Sequence, residues 1–338
     1  VFAAATMDLS SILIWKPDDH GESLVRGVQA VGRAAKVDVD YDDLSAALGL
    51  SFMVCAPRGE VWPHDWMDYA RDWNLIDAAR LFGLELRPLH PPEAADGLDR
   101  AAEFGLHFED SYAPLIRMAL EHEQPVLAWQ GWTGPQQMQW GVIMGTCGDG
   151  VGFRGTTVGC KEHAVTLRAP AVQCYVVEFG VGRTPSETEL MRFALRAARR
   201  VVRNEIPATF GVTTGPAAYD AWLDWLTRKP TAAETVPARA AAHVCLARRI
   251  AAARQSAIAF LTRHREAVPP ASQPAVGATI QKCNAVVDVL RSASDPAAAE
   301  RDLMNSPGVR QAQEVVAAVR RREQAVADAV ETLASGLE

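Results

Sequence analysis

The apolar positions change rhythm along this chain. Leu24, Val28, Val31 and Ala35 recur at three- and four-residue spacing, which predicts a helix over Ser23–Ala35 behind the polar turn Asp18–Glu22. Asp40–Asp43 gives a short second helix an acidic start, Gly49 stops it, and the apolar run Leu50–Ala56 suits a buried strand. Helical spacing returns over Asp65–Phe82 and is closed by Gly83, at the position where a left-handed residue commonly ends a helix. Leu84–Pro88 reads as a strand before the loop His90-Pro91-Pro92, and Ser111–His122 as another helix.

From Pro125 onward short runs rich in Val, Ile and aromatics take over. Val126–Trp129, Trp140–Cys147, Val151–Thr157, Val165–Arg168 and Val172–Phe179 read as strands, with Asp149-Gly150 as a hairpin turn. Helices followed by an antiparallel sheet make an α+β order, unlike the βαβ alternation of a nucleotide-binding fold. A boundary falls near Gly180–Pro185. Ser186 and Glu189 then form a capping box for a helix with Leu190, Phe193, Ala197 and Val201 on one face. Pro216–Arg228 gathers Tyr219, Trp222, Leu223 and Leu226, and three longer helices are expected near 238–265, 273–292 and 308–335. The expected architecture is α+β, with a helix-then-sheet domain over 1–182 and an all-α bundle over 183–338.

Charge supports that division. Residues 1–182 hold 25 acidic and 13 basic side chains, a net of −12, whereas 183–338 hold 16 and 21, a net of +5. The arginines of the second half alternate with acids along helices, so no nucleic-acid partner is expected. No apolar run reaches the roughly 18–20 residues of a membrane span, so no membrane partner is expected either. Val1 in place of an initiator Met points to trimming, and the opening VFAAATM lacks the basic and apolar segments of a secretion signal. The six cysteines (55, 147, 160, 174, 245 and 283) form no C-x-x-C pair, which argues against a zinc site or disulfide framework and for a reducing cytoplasm. A small-molecule or protein partner, and a homo-oligomer, are left open.

Common catalytic motifs are missing: there is no G-x-x-x-x-G-K-[ST], G-x-G-x-x-G after a strand, H-E-x-x-H or G-x-S-x-G. The eight histidines form no i, i+4 pair, so neither a metal nor another cofactor is expected. Tryptophan is more informative, because six of the nine lie between residues 62 and 140. Trp66 and Trp73, seven apart, suit the core face of one helix. Trp129, Trp132 and Trp140, with Gln139, are candidate walls of a ligand pocket, where stacking would hold a flat or sugar-like molecule.

His20-Gly21-Glu22-Ser23 places a hydroxyl at a helix N-terminus, where the dipole favours a nucleophile. This start, continuing as LVRGVQAVG, is one of several stretches that together resemble a known family. The others are Tyr41-Asp42-Asp43-Leu44 into Leu50-Ser51-Phe52, Gln124-Pro125-Val126-Leu127, Trp140-Gly141-Val142-Ile143-Met144-Gly145 and Ala217-Ala218-Tyr219-Asp220-Ala221-Trp222. The chain resembles the butirosin biosynthesis protein H family, whose N-terminal domain is papain-like, and most of all its bacterial members with a helical second half. The resemblance implies a nucleophilic Cys at the place of Ser23, a His where this chain reads Gln139-Trp140, and an orienting Asp or Asn within Arg154-Gly155-Thr156-Thr157. The triad positions are thus held by Ser23, Trp140 and Gly155.

A serine without a base stays protonated and weakly nucleophilic. Ser23 is therefore expected to cap its helix. Cys55 is a substitute thiol, but its apolar surroundings favour an inert one, and His20 and His64 are the bases an active site would draw on. The leading expectation is a catalytically inactive papain-like domain that acts as a ligand-binding or assembly protein. The alternative implied by the resemblance is an acyltransferase that moves an acyl group from a carrier to an amine, and a peptidase is the lesser alternative.

Overall fold

The computed structural model describes residues 12, 22–37, 39–58, 62, 72–89, 108–129, 132, 139–148, 152–158, 165–167, 173–179, 183–207, 212–232 and 234–337. The expectations for His20, His64, Trp66, the loop at His90 and the Asp149-Gly150 turn lie outside those residues. Strands are β1 Cys55–Pro57, β2 Leu84–Pro88, β3 Val126–Trp129, β4 Trp140–Thr146, β5 Phe153–Thr157, β6 Val165–Leu167, β7 Gln173–Phe179 and β8 Val212–Thr214. Helices are α1 Ser23–Ala34, α2 Tyr41–Ala47, α3 Leu75–Leu81, α4 Ala113–Glu121, α5 Glu187–Val202, α6 Pro216–Thr227, α7 Val236–Arg263, α8 Gln273–Ala293, α9 Pro296–Leu303 and α10 Ser306–Ser335. The fold class is α+β, with helices filling the C-terminal half.

Two compact units divide the chain. The first is Val1–Leu44 with Met67–Pro185, and the second is Ser45–Trp66 with Ser186–Glu338. This grouping differs from a single boundary at 182, because Ser45–Trp66 falls with the second unit.

In the first unit six strands form one antiparallel sheet in the order β2-β7-β3-β4-β5-β6. Strand residues alternate between its two faces. Val126, Ala128, Ile143, Phe153, Cys174 and Val176 join Ala113, Ile116 and Ala119 of α4 in one buried core. Leu127 and Val142 point the other way, toward α1, where Gly27 lets the helix come close. A Cβ at Gly27 would lie 3.1 Å from Leu127 Cδ2. Asp40 starts α2 as expected, its Oδ1 accepting the N–H of Asp42 at 2.8 Å, and Gly49 ends the segment in the left-handed region at φ 76°.

In the second unit the helices pack around Arg254, which is 1% exposed. Its Nε and Nη2 donate to the two carboxylate oxygens of Glu323 at 2.8 and 2.6 Å. Nη1 donates to the Ser51 carbonyl at 2.7 Å and Nη2 to that of Phe52 at 3.1 Å. Those bonds, the pairing of β1 with β8 and the stack of Trp62 on Trp225 at 4.6 Å hold Ser51, Phe52, β1 and Trp62 in this unit. They also correct the strand expected over Leu50–Ala56. Leu50–Phe52 is a 3-10 turn, and only Cys55–Pro57 is strand.

Other boundaries shift for local reasons. Phe108–Tyr112 is a π-turn, so the helix expected from Ser111 begins as α4 at Ala113. The helix α9, not expected from the sequence, is capped by Asp295, whose Oδ1 accepts the N–H of Ala297 at 3.0 Å. Ser186 caps α5 as its motif predicts, accepting the N–H of Glu189 at 3.3 Å. Among the described residues no helix is long and apolar enough to cross a membrane.

Removing one partner of a buried ion pair leaves the other charge uncompensated. Arg254→Ala is therefore expected to lower stability by about 3–5 kcal/mol, read as a shift in the urea unfolding midpoint. A change under about 1 kcal/mol, typical of an exposed pair, would contradict the role given to this side chain.

Candidate functional site

Ser23 is the first residue of α1, and its Oγ accepts the backbone N–H of Trp140, the first residue of β4, at 2.8 Å. The serine is thus beside the start of β4. Its task there differs from the expected one. Glu22 is the N-cap residue and no side chain caps the helix, so the Ser23 oxygen joins helix to sheet instead. Ser23 and Trp140 are 2% and 0% exposed.

The approach to Ser23 is tied from behind. The Tyr41 hydroxyl accepts the N–H of Glu22 at 2.8 Å, and the Arg26 guanidinium lies 4.1 Å from the Tyr41 ring centroid. Arg26 also donates to Gln29 Oε1 at 2.8 Å, while Gln29 Nε2 donates to the Val39 carbonyl at 2.7 Å. Sequence reasoning placed Tyr41 in a matching motif but gave it no part in positioning Ser23.

On the sheet face toward α1, Trp129 pairs with Trp140 in register, and the Trp140 ring lies 6.1 Å from that of Tyr175. The Tyr175 hydroxyl donates to Asp72, a pair with no signal in the sequence. An indole N–H only donates, and a neutral phenol whose proton is bonded to a carboxylate is no base. The residue of β5 on this face is Thr156, in register with Val142. It is fully buried, and its hydroxyl oxygen has no hydrogen-bond partner among the described residues.

That register also sets the face of Gly155, the third position that the resemblance implies. Gly155 pairs with Ile143, which belongs to the core on the α4 side. A side chain at 155 would therefore point away from Ser23, since a one-residue step changes sheet face. It would also have no room. A Cβ on Gly155 would lie 2.3 Å from the Val142 carbonyl oxygen and 2.7 Å from Trp132 Cη2. A Cβ on Gly141 would lie 2.4 Å from Trp132 Cζ2. The two glycines are the floor on which the Trp132 indole lies.

The tryptophans are accordingly core residues and not walls of an open pocket. Trp129, Trp132 and Trp140 are 1%, 2% and 0% exposed, and Trp132 belongs to the core shared with α4. Gln139 is half-buried beside Trp140, its Oε1 without a partner among the described residues. Cys55 lies in β1 of the second unit and is 1% exposed. Burial pushes the Cys174 thiol far above its usual range and that of Cys283 up to about 12, which makes both poor nucleophiles. His243 is also enclosed. Its Nδ1 accepts the Trp222 indole N–H at 3.1 Å, and burial lowers its pKa to about 4. Among the described residues no cluster of His, Cys, Asp and Glu could hold a metal ion.

No model of a known protein family matches this sequence, and no curated protein matches it.

Emptying a well-packed aromatic site costs about 3–5 kcal/mol. Trp132→Ala is expected to lose that much stability in chemical denaturation, and Gly155→Ala about 1–3 kcal/mol or more through overpacking. A Trp132 that lined an open cleft would instead be replaceable at under about 1 kcal/mol.

Proposed function

We propose that this chain is a non-catalytic papain-like protein that works by binding or assembly, not by turnover. The observation that carries this reading is the buried Ser23 oxygen accepting the Trp140 backbone N–H at 2.8 Å. A catalytic serine needs an acceptor for its own proton, and the side chains that β3, β4 and β5 set on this face, among them Leu127, Trp129, Trp140, Val142 and Thr156, include neither imidazole nor carboxylate. General-base assistance supplies about 10²–10⁴-fold in rate, and without it Ser23 behaves as an ordinary alcohol.

The acyltransferase and peptidase readings both require a base about 3 Å from Ser23 Oγ or Cys55 Sγ. Cys55 is a weak alternative, because it is buried within the short pairing of β1 with β8. The experiment that separates these readings is covalent labelling of the folded chain. A fluorophosphonate and iodoacetamide should both leave Ser23 and Cys55 unmodified at neutral pH over the time needed to label an active hydrolase. Stoichiometric modification of either residue, lost on unfolding, would overturn the proposal and put the acyltransferase first.

A further inference from the structure

In the second unit the outer face of α5 carries more positive charge than its surroundings offset. Arg192, Arg196 and Arg200 are exposed and stand at i, i+4 spacing, in one row with about 6 Å between neighbours along the axis. Like charges so placed destabilise the helix that carries them. Glu331 of α10 serves other members of the helix. It accepts from Arg203 and, at 3.1 Å, from Arg199 Nε, and those two guanidinium groups hold its carboxyl below the usual carboxylate range. The Arg196 guanidinium lies 5.9 Å from the centroid of the Phe193 ring. Neither Arg192 nor Arg196 has a hydrogen bond or ion pair with any described residue.

A groove runs beside that row. A cavity of about 550 Å³ is lined by Arg192, Arg196 and Arg199 and by the apolar Leu195, Ala334 and Leu337. A second, of about 320 Å³, shares Thr188, Arg192 and Leu337 with the first and is completed mainly by Met191, Ala267, Val268 and Pro269. Thr188 Oγ1 donates to the Ala267 carbonyl at 3.4 Å, which ties the first turn of α5 to the 3-10 turn Arg265–Ala267. The groove thus has a basic part and an apolar part. From Ser186 to Arg199 it follows α5 for about 20 Å, the length of about six extended residues. In an extended chain every second side chain falls on one face, about 6.6 Å apart, close to the step between successive arginines of the row. A small anion would meet one guanidinium and leave the apolar part empty. A phosphodiester backbone has no apolar side chain to fill it and would meet the carboxylate of Glu189, which also borders the groove.

We infer that this groove docks an extended acidic segment of a partner protein, with one apolar side chain among Met191, Val268 and Leu337 and carboxylates at alternate positions facing Arg192, Arg196 and Arg199. Charge complementarity of this kind selects the partner and speeds its encounter. The groove lies within the second unit, so this inference and the reading of Ser23 stand or fall on separate experiments.

The test uses the full chain and the acetylated peptide LAEAEAE, labelled with tetramethylrhodamine at its C-terminal end and followed by fluorescence anisotropy. This peptide or its reverse, EAEAEAL, should bind with a Kd below about 1 mM, and the tighter of the two gives the direction of the docked chain. Binding should be at least tenfold tighter than for LAQAQAQ or LAKAKAK and should weaken as salt is raised. AAEAEAE, which lacks the apolar anchor, should bind about threefold more weakly or worse. The double variant Arg192→Glu, Arg196→Glu, on the surface, should weaken the acidic peptide at least tenfold with an unchanged unfolding midpoint. The inference is overturned if neither acidic peptide binds, if LAQAQAQ or AAEAEAE binds as tightly, or if the double variant binds as the parent chain does. It is also overturned if a twelve-nucleotide oligothymidylate displaces the labelled peptide at lower concentration than the unlabelled peptide does, which would assign the surface to nucleic acid.

Discussion

Arg254 spends hydrogen bonds on a carboxylate and on two backbone carbonyls while almost wholly withdrawn from water. Burying a guanidinium is costly unless a counter-charge and acceptors are placed around it. The second unit places them from three directions: Glu323 on α10, and the Ser51 and Phe52 carbonyls on a segment some 200 positions earlier in the chain (sequence separations of 203 and 202). The need to satisfy this one cation ties Leu50–Phe52 to the helices and accounts for its turn in place of an extended strand. It also fixes the orientation of the Glu323 carboxylate.

In the first unit the comparable constraint is steric. Gly141 and Gly155 leave a bare strip on β4 and β5, and Trp132 covers it. The opposite face receives α1, and there the Ser23 oxygen and the Trp140 amide close the gap between helix and strand. The Ser23 hydroxyl is an internal acceptor, and the residue is 2% exposed. A helix N-terminus and a backbone N–H would stabilise a negative oxygen, but neither can take the proton away. The site has part of the electrostatics of a nucleophile and, on the described strands, no base.

Much of this was legible in the residue pattern, and the misses have physical causes. Period-2 runs gave the strands β3 to β7 to within a residue or two, and the capping box at Ser186 gave the start of α5, because local preferences and tertiary packing agree there. Leu50–Ala56 misled because an apolar run reports burial and not backbone shape, and the partner that bends it, Arg254, is remote in sequence. Gly155 was set one residue from the β5 position that faces Ser23, and in a strand one residue changes the face. Trp129, Trp132 and Trp140 read as pocket walls because aromatic composition cannot distinguish a filled core from a lined cleft.

The central claim, proposed above, is that Ser23 is not activated as a nucleophile. The most direct measurement is the pH dependence of iodoacetamide alkylation at position 23 in the variant Ser23→Cys, followed by mass spectrometry of the peptide that contains it. The account predicts one ionisation and slow alkylation below about pH 7, as for a thiol without an imidazolium partner. Rapid alkylation that persists below about pH 6 and is lost with a second ionisation would reveal a thiolate–imidazolium pair and contradict it.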